Sequence, residues 1–214
     1  MKLFRMDYSP YARKTQMVLD LLGCEYERVD ITFGAREELA RVTGGYVQVP
    51  VLVGDDGEVT VDSRAICEKL LRGEAGEKLV PSPWQGPVWA YADWCDGPLE
   101  DVMFRIASPF QKRRFASEWE RGLYVFVKER KFGRGCVDEW EHNAGELRSR
   151  ARALLEPSRQ TLQRQPFLFG DHPTLADAAL YGLFAMMEVV EPGEPAKFGD
   201  EFLPFLRRVE ARVR

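Results

Sequence analysis

The sequence of 214 residues is poor in the residue types that build metal and redox centres, with two histidines and four cysteines. Cys24, Cys67, Cys95 and Cys136 are widely separated and form no CxxC pair, and with His142 and His172 they make no zinc-ligand spacing. No metal is expected, and the thiols read as reduced and structural. A long apolar run is also missing. The best, Ala178 to Met187, is broken by Glu188 and falls short of the ~18 to 20 residues that cross a bilayer, so no membrane span is expected. The start, Met1-Lys2-Leu3-Phe4-Arg5-Met6-Asp7, lacks the apolar core and small-residue cleavage site of a signal peptide, which makes the cytoplasm the expected address. Nor is there a basic excess: 30 Lys and Arg are interspersed with 34 Asp and Glu, for a formal net charge of −4, and nucleic acid is not an expected partner.

What is present is an ordinary core-forming composition, 45% hydrophobic and 30% charged, in a chain long enough for one large domain or two small ones. Its first part alternates strand and helix. Leu3-Phe4 reads as a strand, Tyr11 to Leu22 as a helix stopped at Gly23, and Cys24 to Ile31 as a second strand. A polar helical stretch, Ala35 to Val42, precedes two short strands, Val51 to Val53 and Val59 to Val61, joined by the turn Gly54-Asp55-Asp56-Gly57. Ser63 to Leu71 closes a βαβαββα unit. Then Gly73, Gly76 and Gly86 with Pro81, Pro83 and Pro87 give a linker composition. Beyond it the apolar residues recur at helical spacing, clearest in Val137, Trp140, Ala144, Leu147, Ala151 and Leu154. Pro157 is expected to end or kink that helix, which favours a bundle face over a coiled coil. The expected organisation is an α/β domain at 1–75, a linker at 76–86 and an all-α helical bundle domain at 87–214.

Three short segments carry candidate chemistry. Ser9-Pro10-Tyr11-Ala12 stands where the first strand hands over to the first helix. Ser9 is an N-cap and Pro10 an N1 residue, and equally the Ser9 hydroxyl is placed to donate to a ligand thiolate held at the positive helix end. Gln48-Val49-Pro50 puts a proline at the mouth of a strand, where it is costly unless its geometry is used. A cis-proline there leaves the Val49 backbone N–H and C=O free for a bound peptide. Asp62-Ser63 opens the third helix, and its N–H groups can receive a carboxylate while Asp62 pairs with an ammonium. A thiol site, a peptide-backbone site and an α-amino acid site in a row describe glutathione.

Over nearly its whole length the chain resembles the glutathione S-transferases, with a thioredoxin-like N-terminal domain, a linker and a helical domain in that order. Ser9-Pro10-Tyr11-Ala12 is similar to the C-P-Y-C of glutaredoxins and to the S-P-F and C-P-F starts of tau-like and omega-like transferases. The resemblance implies Ser9 as the catalytic, thiolate-stabilising hydroxyl, Val49 and Pro50 as the cysteinyl subsite, and Asp62 with Ser63 as the γ-glutamyl subsite. Gln48, in a Q-V-P similar to that of the zeta class, is implied as a contact to the glycyl carboxylate. It further implies glutathione as co-substrate, a small electrophile as second substrate, and a homodimer. A glutathione-dependent isomerase and a non-catalytic binding or assembly module are the alternatives on the same fold. The chain also departs from the family. Asp62 is one methylene shorter than the usual Glu or Gln, and the Asn-Pro pair common before the cis-proline is replaced around Thr43-Gly44-Gly45-Tyr46.

The remaining candidates are less specific. Tyr8 and Tyr11 are alternative suppliers of the activating hydroxyl, or packing aromatics. Trp89, Tyr91 and Trp94 are candidates to line an apolar pocket over Ser9, or to serve core packing or a dimer contact. Cys136 reads as a buried small residue and His142 as a residue of the polar helix face. Gly170 to Asp177 contains a capping box, in which Thr174 and Asp177 exchange hydrogen bonds. The helix that follows is expected to bury Leu175, Ala179, Leu180, Leu183, Phe184 and Met187 on one face.

Overall fold

The computed structural model describes residues 1–213. Its first third runs β1 (Lys2–Arg5), α1 (Pro10–Leu21), β2 (Glu27–Asp30), α2 (Glu37–Thr43), β3 (Val51–Val53), β4 (Val59–Val61) and α3 (Ser63–Leu70), the βαβαββα order expected. The four strands form one mixed sheet in the order β2-β1-β3-β4. β1 pairs parallel with β2 and antiparallel with β3, which pairs antiparallel with β4. Alternation along the strands sorts the apolar side chains to opposite faces. Leu3 and Leu52 pack with Leu19 and Ile66 on one face, whereas Phe4 and Val51 pack with Met6, Ile31 and Leu39 on the other.

Gly73 to Pro87 is not continuous coil. It folds into a short helix α4 (Glu74–Glu77) and a 3₁₀ turn (Ser82–Trp84) that runs into α5 (Gln85–Trp94). A π-helical turn, Cys95–Leu99, joins α5 to α6 (Glu100–Arg114). Pro98 in that turn has no N–H, and the wider turn carries the helix past it. α7 (Glu118–Phe132), α8 (Cys136–His142), α9 (Ala144–Leu162), α10 (Leu175–Val190) and α11 (Phe202–Glu210) complete the helical part. Two details differ from the sequence reading. The periodic stretch from Val137 to Leu154 is two helices, broken at Asn143, and Pro157 does not end α9, which continues to Leu162. A single proline costs a long helix one hydrogen bond, and the apolar residues Ala151, Leu155 and Leu162 on both sides of it remain buried.

The capping box at Thr174 is present. The Asp177 carboxylate accepts from Thr174 N–H and from Leu168 N–H, both at 2.8 Å, and it is fully buried. α10 is buried on all sides rather than on one face, from Leu175 through Met187, because it runs through the centre of the main core. It crosses α1 so closely that a Cβ on Gly182 would lie 2.5 Å from the Pro10 carbonyl oxygen and 2.9 Å from the Lys14 amide nitrogen. Lys14 itself is buried and ion-pairs with Asp96 of the π-helical turn. Among the described residues no helix is long and apolar enough to cross a membrane.

Candidate functional site

Sheet register decides where the three candidate segments meet. Phe4 pairs with Val51, and Val51 with Val61, so the end of β1, the start of β3 and the end of β4 lie at one edge of the sheet. The chain leaves that edge into α1 through Ser9, enters it through Val49-Pro50, and leaves it again into α3 through Asp62-Ser63. Contiguity in space therefore follows from strand direction, although Ser9 is 40 positions from Val49 and 53 from Asp62 in sequence.

Ser9 is the N-cap of α1, with Oγ accepting from Ala12 N–H at 3.3 Å. The hydroxyl proton is not used in any hydrogen bond among the described residues and remains available as a donor. The Val49–Pro50 peptide bond is cis, as expected. The Val49 N–H and C=O make no hydrogen bond among the described residues. Asp62, rather than Ser63, caps α3. It adopts φ 74°, and its Oδ1 accepts from Arg64 N–H at 2.8 Å and from Ala65 N–H at 3.4 Å. Two of the amides expected to face a ligand carboxylate are thus occupied internally, and the N–H and buried side chain of Ser63 are what remain at that helix end.

Ser9, Gln48 and Val49 line a common cavity of about 340 Å³. Pro50 is buried behind it, and Asp62 and Ser63 lie outside its lining. The opposite wall comes from helices α6 and α7, which bring Glu100, Phe104, Tyr124, Lys128 and Lys131, with Arg36 at the start of α2 closing one side. Burial pushes the Glu100 carboxyl up to about 7 and pulls the Lys128 ammonium down to about 8. Arg36 is also drawn down by burial, and it donates to the Phe33 and Val47 carbonyl oxygens at 3.0 and 2.8 Å.

Sequence reasoning did not find this wall. Its members are scattered over nearly a hundred positions, in amphipathic helices whose charged residues carry no local mark of which ones face the cavity. Both tyrosines line the cavity, but Tyr11 donates to the Asp96 carbonyl oxygen at 3.1 Å, whereas the Tyr8 hydroxyl is buried and without a partner. Burial raises the pKa of both, so each acts as a hydroxyl and not as a phenolate. Trp89, Tyr91 and Trp94 do not line the cavity. Tyr91 and Trp94 pack against each other, Tyr91 also meets Phe169, and Trp89 lies under the Arg64 guanidinium. Cys136 is buried and His142 exposed, as expected.

Comparison with known proteins agrees with this geometry. The family description "Glutathione S-transferase, N-terminal domain" matches residues 3–78, and "Glutathione S-transferase, C-terminal domain" matches residues 127–212. Among solved structures, a glutathione S-transferase of Ceriporiopsis subvermispora in complex with glutathione superposes with a TM-score of 0.80 at 15% identity, over 99% of this chain and 96% of that one. A glutathione transferase from Phanerochaete chrysosporium gives 0.77 at 18% identity, over 99% and 96%. Glutaredoxin 2 from Salmonella typhimurium, also in complex with glutathione, gives 0.74 at 17% identity, over 99% and 94%.

Proposed function

Because the chain belongs to the glutathione S-transferase superfamily, we propose that it is a transferase that binds glutathione, holds it as the thiolate and directs it at a small electrophile. The observation that carries this reading is the meeting of Ser9, Gln48 and Val49 around one cavity at the edge from which α1 and α3 both start. The Val49 backbone would pair with the cysteinyl unit, beside Pro50. Gln48, with Arg36 next to the same wall, would meet the glycyl carboxylate, and Asp62 with Ser63 would hold the γ-glutamyl end. Ser9 would donate its free hydroxyl proton to the sulfur.

A free thiol with a pKa of ~8.5 is mostly protonated at neutral pH, and a hydroxyl donor at a helix N-terminus favours the thiolate by one to several units. The remaining rate gain comes from holding two substrates together. No covalent protein intermediate is required. No cysteine lines the cavity, and Ser9 and Ala12 stand where a glutaredoxin has its two thiols, which favours transfer over thiol–disulfide exchange.

The same reading assigns residues 1–75 to glutathione, 76–86 to the linker and 87–214 to the helical domain, with a cytoplasmic homodimer as the working form. Calorimetric titration with glutathione tests it: binding at or below millimolar ligand is expected. An absence of heat at millimolar glutathione would favour a non-catalytic module on the same fold.

A further inference from the structure

The cavity wall built by α6 and α7 is unlike the floor at the sheet edge, and its lysines, although near Glu100, make no salt bridge or hydrogen bond to a carboxylate among the described residues. Several other cations of the helical half do have carboxylate partners, among them Lys112 with Asp138 at 2.8 Å and Arg105 with Asp101 at 2.7 Å. Lys128 makes no ion pair and no hydrogen bond among the described residues. Its ammonium lies 4.2 Å from the centre of the Phe104 ring and 4.8 Å from that of Tyr124. Aromatic faces offset part of the cost of desolvating an ammonium, but they leave its N–H donors without an oxygen acceptor. Lys131 is likewise without a carboxylate, 5.0 Å from the Phe132 ring centre, and Arg36 spends its donors on carbonyl oxygens. Glu100 is the one acid in the cavity lining, and it is not ion-paired with Lys128. A partly buried, cationic and aromatic wall is suited to an apolar molecule that brings its own negative charge.

We propose that the second substrate is an anionic electrophile, an aromatic or extended apolar molecule whose carboxylate is received by Lys128 while its reacting carbon faces Ser9. This rests on the glutathione reading above for the nucleophile, but not for the anion site. The apolar body has room to extend past Phe33 and Val127, which also line an adjoining outer cavity of about 500 Å³ with the exposed Trp119. For a chloroarene the step balances simply. The glutathione thiol gives its proton to water, the thiolate forms a C–S bond at the carbon bearing chlorine, and the C–Cl bond breaks with chloride taking its electron pair.

The probes are 4-chloro-3,5-dinitrobenzoate and its methyl ester, each compared with its uncatalysed reaction with glutathione. The enzyme is expected to favour the carboxylate about ten-fold in kcat/KM, as one charge-assisted contact provides. Lys128→Gln should reduce that ratio to about one, and Lys128→Arg should keep most of it. A ratio unchanged in Lys128→Gln, or a wild-type preference for the ester, would overturn the proposal. Calorimetry separates the two readings. Titration with 3,5-dinitrobenzoate, which has no chloride to lose, should show Lys128-dependent binding even if glutathione gives no heat, and that pattern would refute the glutathione site while supporting the anion site. If Lys128→Gln instead abolished glutathione binding, the lysine would belong to the tripeptide subsite and the proposal would fail.

Discussion

The two sides of the cavity are built by opposite strategies. The floor, at the sheet edge, offers uncharged groups fixed by local backbone geometry: the Ser9 hydroxyl at a helix cap and the Val49 N–H and C=O beside a cis-proline. The wall offers charged and aromatic side chains, Glu100, Lys128 and Lys131 among Phe104, Tyr124 and Phe132, carried on long helices from another part of the chain. A floor of backbone groups suits a ligand that never changes, since its recognition depends on the fold and not on any one side chain. A wall of side chains can be altered residue by residue without disturbing that fold. On the proposed reading, common recognition belongs to the floor and individual selectivity to the wall.

Ser9→Ala probes the floor and has the largest expected effect. Turnover should fall by ~10 to 1,000-fold while glutathione affinity stays within a few-fold, because the hydroxyl acts on the sulfur and not on the tripeptide backbone. Steady-state kinetics with parallel calorimetry checks this. Full activity in the variant would move the activating role to Tyr8 or to the helix end itself.

The sheet-bearing part that carries the floor packs on the helical part through the crossing of α1 and α10 at Gly182, and a side chain there should press the two apart. Gly182→Val would press on backbone atoms of Pro10 and Lys14 that cannot step aside, at a cost of about 3 kcal/mol. Denaturant unfolding measures the loss. A variant as stable as the parent would show that the two halves pack with slack.

Wall selectivity should respond to pH. Lys128 is faced by Glu100 from α6, by Lys131 on its own helix, by Arg36 near α2 and by the Tyr124 ring. Glu100 loses its proton as pH rises through about 7 and Lys128 loses its charge through about 8, so both changes make the wall less positive. The preference for carboxylate over ester is expected to fall by about ten-fold between pH 6.5 and 9 as these groups titrate. A flat ratio over that range would mean that the ammonium does not meet the substrate.

The smallest effect is expected far from both surfaces. Thr174→Ala removes one half of the cap on the central helix and should cost about 1 kcal/mol, read from thermal unfolding, with the glutathione affinity unchanged.

Much of the fold was legible in short segments. β3 and β4 fall where their valine runs and the Gly54 to Gly57 turn put them, and α1 is bounded by Ser9-Pro10 and Gly23, because caps and turns are local interactions. The break at Asn143 and the continuation of α9 through Pro157 were not legible, since each depends on what the helix packs against and not on its own propensity. The candidate site divides in the same way. Ser9, Gln48, Val49, Pro50, Asp62 and Ser63 sit at caps and a strand mouth, positions that announce themselves by residue type. That Asp62 rather than Ser63 closes α3 is a matter of one side chain turning back on its own helix, which only coordinates can decide. Glu100 and Lys128 look like any solvated helix charges until tertiary packing turns them inward, with the exposed Lys131 at the cavity rim. By itself the sequence determined the local elements and the candidate segments at caps and strand mouth, because those arise from contacts a few residues apart. Only the tertiary structure decided which charges would share the cavity with Ser9, because helix packing brings together residues that have no local reason to meet.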